Sequence, residues 1–303
     1  MKRDLLSVAD LSAEELSSIV KEAARKKREG WGRPLEGKTL ALIFEKPSLR
    51  TRVSFDVAMY ELGGHAIYLS REEVGLGARE PIPDMAQVLG RYVSAIAARV
   101  YKHATLEELA RYSPVPVINA LSDLEHPCQA VGDMLTIYEK KGRLSDLTVA
   151  FVGDGNNVAN SLLLACALLG INFKFASPPR YSIKEEILNK ALKAASSSGA
   201  EIKLLQDPEE AARGADVIYT DVWVSMGQEA EAEERRKAFR GYQVTEELLK
   251  SAKSDVILMH PMPIHHGEEL APNLLFSRYS VIIDQAENRL HAQKEILIRL
   301  LGG

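Results

Sequence analysis

Residues 39–52 read TLALIFEKPSLRTR, an apolar run that passes through a turn into a polar stretch. Thr39–Phe44 is short, apolar and followed by Pro47, a pattern that predicts a buried strand. Ser48 and Thr51 are residue types that begin helices, and the Gly63-Gly64 pair is typical of a helix end. The stretch therefore predicts a strand, a loop and a helix in succession, which is the unit of a parallel sheet.

The same succession recurs along the chain. Helical patterns lie between most of the β-rich runs, for example at Ser12–Lys27 and Asp84–Tyr92. Strands separated by helix-length segments predict an α/β fold with parallel sheets. The predicted strands are Thr39–Phe44, Ala66–Leu69, Ala95–Tyr101, Val115–Asn119, Thr148–Val152, Asn172–Ala176, Val217–Thr220, Val256–Met259 and Val281–Ile283.

Length and composition indicate two ordinary globular domains. The chain has 303 residues, 46% of them hydrophobic and 26% charged, with 38 basic against 42 acidic residues. A net charge of −4 does not favour a nucleic-acid or anionic-membrane partner, and we expect neither. Two cysteines are too few for a disulfide framework. No apolar segment follows the basic start, so we expect a cytoplasmic protein.

A polar break at residues 140–143, KKGR, suggests the boundary between the domains. We place the domains at residues 1–140 and 141–303, with four or five predicted strands on either side of the break. The apolar spacing of residues 288–301 predicts a final helix, which we expect to pack back on the N-terminal domain.

Loops that follow strands are where a doubly wound sheet places its ligands. After the first strand, the helix start at Ser48 and the forked side chains of Arg50 and Arg52 suit an anion such as phosphate. A capped helix with two solvated arginines is an equally weighted interpretation of this loop alone. Arg99, at the end of another predicted strand, would add a third cation.

Later loops add a histidine, an amide pair and a carboxylate. His126 precedes Pro127 at a helix start, where a neutral imidazole can donate to a carbonyl oxygen, although this motif alone favours a structural histidine. Val158 replaces the third glycine of a dinucleotide fingerprint, so the asparagines at 156 and 157 offer amides to a polar substrate instead. Asp221 is placed to meet an amine. The charged segment Glu229–Lys237 is expected to be a solvated helix.

The remaining histidines do not indicate a metal site. His265 and His266 are adjacent, so they cannot share one helical face, and the chain has neither HExxH nor a zinc-type cysteine spacing. We expect no metal and no other cofactor.

Taken together, these loops resemble the aspartate/ornithine carbamoyltransferase family over nearly the whole chain. Residues 48–52, SLRTR, resemble the family's Ser-Thr-Arg-Thr-Arg signature for carbamoyl phosphate, and residues 126–129, HPCQ, are similar to its His-Pro-x-Gln motif. Asp221 with residues 225–227, SMG, indicates ornithine rather than aspartate. The resemblance implies two α/β domains joined by two helices, and a catalytic trimer.

The resemblance also implies which residues bind each substrate. It implies transfer of the carbamoyl group of carbamoyl phosphate to the side-chain amine of L-ornithine, giving L-citrulline and phosphate. The catalytic residues would be Arg50, Arg99, His126 and Asp221. Carbamoyl phosphate would be bound by Ser48, Leu49, Arg50, Thr51, Arg99, His126, Gln129, Pro261, Met262 and Arg289. Ornithine would be bound by Asn157, Asp221, Ser225 and Met226.

Three positions depart from the family pattern. Leu49 replaces a threonine, although its backbone amide can still bind phosphate. Gly75 lies where many members have a residue that reaches the adjacent subunit. Pro261 replaces the cysteine of the ornithine enzymes' His-Cys-Leu-Pro. Two alternatives therefore stay open: a carbamoyltransferase for another amine or diamino acid, and a non-catalytic homologue that binds an anion.

Overall fold

The computed structural model describes residues 2–77, 79–225 and 227–302. It divides into two compact units, of which unit 1 comprises Met1–Leu135 with Glu287–Gly303, and unit 2 comprises Thr136–Ala286. Each unit is a parallel sheet flanked by helices. The predicted α/β fold with two parallel sheets is therefore confirmed.

Strands and helices alternate through most of the chain. The strands are β1 (Thr39–Phe44), β2 (His65–Ser70), β3 (Ala95–Arg99), β4 (Val117–Leu121), β5 (Thr148–Val152), β6 (Asn172–Ala176), β7 (Ile202–Leu205), β8 (Val217–Tyr219) and β9 (Ile257–Met259). The helices are α1 (Ala13–Glu29), α2 (Leu49–Glu61), α3 (Arg71–Val74), α4 (Ile82–Leu89), α5 (His103–Tyr112), α6 (Pro127–Lys141), α7 (Asn157–Leu169), α8 (Glu185–Ser198), α9 (Pro208–Ala212), α10 (Ala232–Ala238), α11 (Glu246–Lys250) and α12 (Ile282–Leu301).

The sheet of unit 1 has the order β2-β1-β3-β4. Its central strands β1 and β3 are buried on both faces, as their uninterrupted apolar sequences predict. Side chains of β1, β3, α4 and α5 form one hydrophobic core that includes Ile43, Ile96 and Leu106. The carboxyl ends of β1 and β3 are aligned, since Phe44 is paired with Arg99. This alignment brings the loop after β1 next to the end of β3.

The sheet of unit 2 has the order β7-β6-β5-β8-β9. The chain order reverses at β5, which pairs with β6 on one side and with β8 on the other. A crevice outside the carboxyl ends of strands forms at such a switch point. The loops after β5 and β8 carry Asn156 and Asp221, so the topology places these two residues at the same edge of the sheet.

Two helices, α6 and α12, run through the points at which the chain passes from one unit to the other. The resemblance implied two such joining helices. In the part of the chain that the structure describes, no helix has both the length and the apolar character needed to cross a membrane.

The structure differs from the sequence prediction at two strands. The strand predicted at Val281–Ile283 is wrong, because α12 begins at Ile282 and continues through residues 284–301. Its polar residues, including Glu287 and Gln293, are good helix formers that outweigh the short β-branched start. The sequence prediction also missed β7, a four-residue strand that lies at the edge of the described sheet and pairs with β6. An edge strand of this length leaves little apolar signal in the sequence.

Candidate functional site

The start of α2 is built as an anion-binding turn. Ser48 is the N-cap, and its Oγ accepts a hydrogen bond from the Thr51 amide at 3.4 Å. Leu49 is 74% exposed, so its side chain contributes no packing, while its backbone amide lies in the first turn. Arg50 is half-buried. Free amides at a helix N-terminus together with a guanidinium attract a phosphate.

Arg52 does not share the environment of Arg50, although it is only two residues away. Its side chain is exposed, and its guanidinium carbon lies 3.7 Å from the centre of the Tyr68 ring. This is a cation–π contact with the edge strand β2.

Arg289 of α12 connects two of the motifs that the sequence singled out. One terminal nitrogen donates to Gln129 Oε1 at 2.7 Å, and the other donates to Thr51 Oγ1 at 3.2 Å. Gln129 is itself held by Asp133, whose carboxylate accepts from Gln129 Nε2 at 2.8 Å. All four side chains are buried. Gly132 faces Arg289, since a Cβ there would lie 3.4 Å from Arg289 Cδ.

Positive charge is concentrated around Arg99. This side chain is buried at the end of β3, and its Nε has no hydrogen-bond partner among the residues that the structure describes. Burial, together with repulsion from Arg289 and Arg50, lowers the pKa of Arg99 to about 10. Burial also lowers the pKa of Arg50. Three guanidinium groups that repel each other are stabilised by a bound anion, and their forked geometry matches a phosphate.

His126 lies directly before α6, and its carbonyl accepts the amides of Gln129 and Ala130. The side chain is buried, and burial followed by repulsion from Arg289 and Arg99 holds the pKa of His126 well below its usual value. The imidazole is therefore neutral at physiological pH. A neutral imidazole can donate one hydrogen bond to a developing oxyanion without releasing its proton.

In unit 2, Asp221 follows β8 and is buried. Its carboxylate accepts from Asn156 Nδ2 at 2.7 Å and from the Val222 amide at 2.8 Å. Burial raises the pKa of Asp221, against the opposing effects of His260 and of the two hydrogen bonds. A buried carboxylate of this kind is stabilised by a cationic ligand such as an ammonium group.

Asn156 is the residue that joins the loops after β5 and β8. Its amide donates to Asp221, while its side-chain oxygen caps α7 by accepting from the amides of Val158 and Ala159. Asn157, the predicted ornithine ligand, is the half-buried first residue of α7. Its contact with a substrate stays a prediction.

Ser225 lies in the loop after β8 and is half-buried. Its amide donates to Gln228 Oε1 at 3.0 Å, and its carbonyl accepts from the Gln228 amide at 3.0 Å. These two hydrogen bonds hold Ser225 and Gln228 together. Met226, the neighbouring predicted ornithine ligand, lies outside the described residues.

The segment Glu229–Lys237 is not solvated throughout, and this corrects the sequence prediction. Arg235 is buried and forms an ion pair with the buried Asp154 at 2.9 Å. Burial raises the pKa of Asp154 to about 6, although Arg235 acts in the opposite direction. Because Arg235 is surrounded in the sequence by charged residues that are exposed, the sequence does not indicate that Arg235 is buried.

Pro261 and Met262 lie in the loop after β9, in unit 2, whereas the other predicted carbamoyl phosphate residues lie in unit 1. His260 anchors this loop: its Nδ1 accepts from the Met262 amide at 2.9 Å, and its Nε2 lies 3.0 Å from Glu269 Oε1. Met262 has a φ of 55° and precedes a cis peptide bond to Pro263. The loop therefore has a defined backbone shape without a cysteine.

One group of side chains has the composition of a cation site. His265, Glu268 and Glu269 each offer a ligand atom, and these atoms lie within 4.8 Å of one another. Both carboxylates already serve protein partners, because Glu268 accepts from Arg236 Nε and Glu269 accepts from His260 and from the His265 amide. The group therefore acts as an anchor for the loop after β9.

Gly75 ends the short helix α3 in a left-handed conformation, with a φ of 54°. An added Cβ would lie 2.9 Å from Arg79 Cβ. Both the backbone conformation and the close approach of Arg79 favour glycine here.

Four polar residues of the site were missed or undervalued by sequence reasoning. Asp133 had a readable signal, since it lies one helical turn after Gln129 on the same face of α6. Asp154, Arg235 and Glu269 had none, because their partners are 81 and nine residues away in the chain.

Comparisons with known proteins agree with this arrangement. Residues 3–139 match the family model for the carbamoyl-P binding domain of aspartate/ornithine carbamoyltransferase, and residues 145–300 match the model for its Asp/Orn binding domain.

The chain is 55% identical to an ornithine carbamoyltransferase from Archaeoglobus fulgidus, over 99% of this chain and 98% of that relative. It is 54% identical to an anabolic ornithine carbamoyltransferase from Pyrococcus furiosus, over 99% and 97% of the two chains. A solved structure of the ornithine carbamoyltransferase from Pyrococcus furiosus superimposes with a TM-score of 0.96 at 53% identity, covering 100% of this chain and 98% of that one. The chain belongs to the aspartate/ornithine carbamoyltransferase family.

Proposed function

We propose that this enzyme transfers the carbamoyl group of carbamoyl phosphate to the side-chain amine of L-ornithine, giving L-citrulline and phosphate. The observation that carries the proposal is the group formed by Arg50, Arg99 and Arg289 beside a neutral His126. A ligand that has both a phosphate and a carbonyl oxygen suits this group. The phosphate pairs with the guanidinium groups, and the carbonyl oxygen accepts a hydrogen bond from His126. The names of the relatives support ornithine as the acceptor, and one of them is an anabolic enzyme.

The residues of unit 1 suit the departure of phosphate. Attack by the amine forms a carbon–nitrogen bond and places negative charge on the carbonyl oxygen, and the bond to the phosphate oxygen then breaks. Arg50, Thr51 and His126 supply donors for that oxygen, and one such donor is worth about 3 kcal/mol. Arg99 and the amides at the start of α2 stabilise the phosphate as it leaves.

The residues of unit 2 suit the amino acid. Asp221 attracts the side-chain ammonium group, while Asn157 and Ser225 bind the α-amino and carboxylate groups. The ammonium group has to lose a proton before it attacks, because its unperturbed pKa is about 10.4. Attraction to Asp221 favours the charged form, so binding and deprotonation oppose each other at this residue.

An assay with carbamoyl phosphate and a panel of amines tests the proposal. The panel contains ornithine, a shorter and a longer diamino acid, and aspartate. We expect ornithine to have the highest kcat/KM. A tenfold preference for another amine would mark the departure at Pro261 as a change of specificity, and the absence of turnover with every amine would favour a non-catalytic anion-binding homologue.

The effect of Pro261 is tested by restoring the family residue. We expect Pro261→Cys to lower the KM for ornithine or to move the pH–rate profile to lower pH, because a thiol offers a polar group where proline offers none. Pro261→Ala is the matched control, since it removes the ring without adding a thiol. Equal behaviour of the two variants would show that the thiol has no role at this position.

We further propose a trimer, or a multiple of trimers, located in the cytoplasm. Three exposed apolar side chains support the assembly: Leu49, Val53 and Tyr60 lie within about 40° of one another around α2 and are 74%, 50% and 77% exposed. Ile67 adds an exposed apolar side chain on the edge strand β2. Large apolar side chains exposed on one face of a helix are typical of a contact with another chain.

Light scattering tests the assembly. We expect a mass close to three times 33.5 kDa or a multiple of it, as closed cyclic symmetry requires. Val53→Asp is expected to lower that mass by placing a charge in the apolar surface. A monomer at micromolar concentration in the unmodified protein would contradict the proposal.

A further inference from the structure

We propose that Arg235 is a positioning residue for ornithine, because its guanidinium ties the loop after β5 to the loop after β8. This inference rests on the proposed function, since it assigns those two loops to the amino acid. Nothing in the sequence distinguishes Arg235 from the charged residues beside it.

The contacts of Arg235 reach three segments. Its Nη1 donates to Asp154 Oδ2 at 2.9 Å and to the Trp223 carbonyl at 3.1 Å. Its Nε donates to Glu231 Oε2 at 3.1 Å. The side chain is only 7% exposed. A charged group at that depth is retained only when its donors find partners, so Arg235 holds the segments in one arrangement.

Through Asp154, Arg235 is connected to Asp221, the residue proposed to attract the side-chain amine of ornithine. The Asp154 carbonyl accepts the Asn156 amide at 2.8 Å. Asn156 then donates from its side chain to the Asp221 carboxylate at 2.7 Å. A movement of Asp154 therefore moves the residue that orients Asp221.

On the side of Trp223, the connection reaches the turn that contains Ser225. Trp223 lies midway between Asp221 and Ser225 and is buried, with its ring stacked on Phe239 at 5.7 Å between centroids. Phe239 directly follows α10, the helix that carries Arg235. The Arg235 guanidinium also lies 5.0 Å from the centre of the Tyr181 ring. The Tyr181 ring thus lies against the buried guanidinium.

A lysine cannot reproduce this arrangement. Its ammonium group can pair with Asp154, but it is a single donor group and cannot also occupy the position of Nε, which donates to Glu231. Neutral glutamine leaves Asp154 buried without a cation. We therefore expect a graded series in which Arg235→Lys is weaker than the wild type and Arg235→Gln is weaker still.

Steady-state kinetics with both substrates test the proposal. We expect Arg235→Gln to raise the KM for ornithine about 100-fold, as misplacement of binding groups by about 1 Å does. We expect Arg235→Lys to recover part of that loss. The KM for carbamoyl phosphate should change by less than about twofold, because the contacts of Arg235 join the loops after β5 and β8, which are assigned to ornithine. Arg240→Gln is the matched control, since Arg240 lies two residues after α10 and is exposed.

Fluorescence gives a readout that does not depend on turnover. Trp31 and Trp223 are the two tryptophans of the chain, so Trp31→Phe leaves Trp223 as the sole reporter. In that background we expect Arg235→Gln and Asp154→Asn to shift the Trp223 emission to longer wavelength, and Arg240→Gln to leave it unchanged.

Each outcome decides between the hypotheses. If Arg235→Gln keeps the wild-type KM for ornithine, or raises both KM values together with a loss of thermal stability, Arg235 is not a positioning residue. If the wild type does not carbamoylate ornithine, the proposed function fails. In that case the fluorescence shift still tests whether Arg235 holds the two loops.

Discussion

Arg50→Ala is expected to lower kcat/KM for carbamoyl phosphate about 1000-fold while leaving the melting temperature close to that of the wild type. The guanidinium lies in the first turn of α2, and its charge contributes to the lowered pKa of the buried Arg99, so a bound anion is expected to stabilise both groups. Arg50 is half-buried at the edge of its domain, and its removal leaves no core cavity. The Arg50→Ala variant loses a group that stabilises the charge of the transition state.

The control for this prediction lies two residues further along the same helix. Arg52→Ala removes the same kind of side chain from a position where it contacts the Tyr68 ring. We expect a much smaller loss of activity from this change. Arg50→Lys should recover little, because an ammonium group lacks the fork that binds two phosphate oxygens. Near-normal kcat in Arg50→Ala would contradict the assigned role.

Asp221→Asn is expected to lower kcat/KM for ornithine about 100-fold, equivalent to about 2.7 kcal/mol. Asparagine keeps the size of the side chain but removes the charge that attracts the ammonium group. Its oxygen can still accept from Asn156, so the loop should retain its shape. Asp255→Asn is the matched control, because the Asp255 side chain is 70% exposed and pairs with Lys141. Unchanged kinetics in Asp221→Asn would exclude Asp221 as the partner of the amine.

The pH dependence of ornithine kinetics has two limbs, and each has a definite direction. Burial raises the pKa of Asp221, so its carboxylate is charged above that raised pKa and neutral below it. As the pH falls through the pKa of Asp221, the carboxylate becomes neutral and no longer attracts the ammonium group. The KM for ornithine should therefore rise. At alkaline pH the substrate ammonium loses its proton, and the rate should keep rising.

Asp221→Asn should change both limbs. The acid limb should disappear, because asparagine does not titrate. The alkaline limb should move to lower pH, because the ammonium group loses the carboxylate that raised its pKa. Profiles of kcat/KM against pH for the two proteins measure both shifts. Identical profiles would show that another group controls the protonation of the amine.

The order of strands and helices could be read from the sequence because each element repeats a local pattern. β1, β5 and β6 begin and end at the predicted residues, since their apolar runs are bounded by clear turn signals. Parallel pairing then follows from the helices between strands. It also follows that loops after the strands converge at one edge of each sheet, which is why Ser48, Arg99 and His126 could be proposed together.

Local sequence patterns did not predict the correct element in two places. Residues 281–283 are β-branched and apolar, yet they lie at the start of a twenty-residue helix whose later turns are strongly helical. β7 has only four residues and one neighbouring strand, so its stability comes from pairing with β6 rather than from its own sequence.

The sequence by itself determined the fold class, the strand–loop–helix units and the chemical types at the loops: arginines and a helix start for an anion, a neutral histidine, and a carboxylate for an amine. Only the tertiary structure decided which side chains hold these groups in place. Arg289 binds Thr51 across 238 residues, and Arg235 binds Asp154 across 81. A hydrogen bond depends on distance and angle in space, and burial makes it costly to leave unmade. Neither quantity is contained in the local spacing of residues, and so the positioning of the site became visible only in the folded chain.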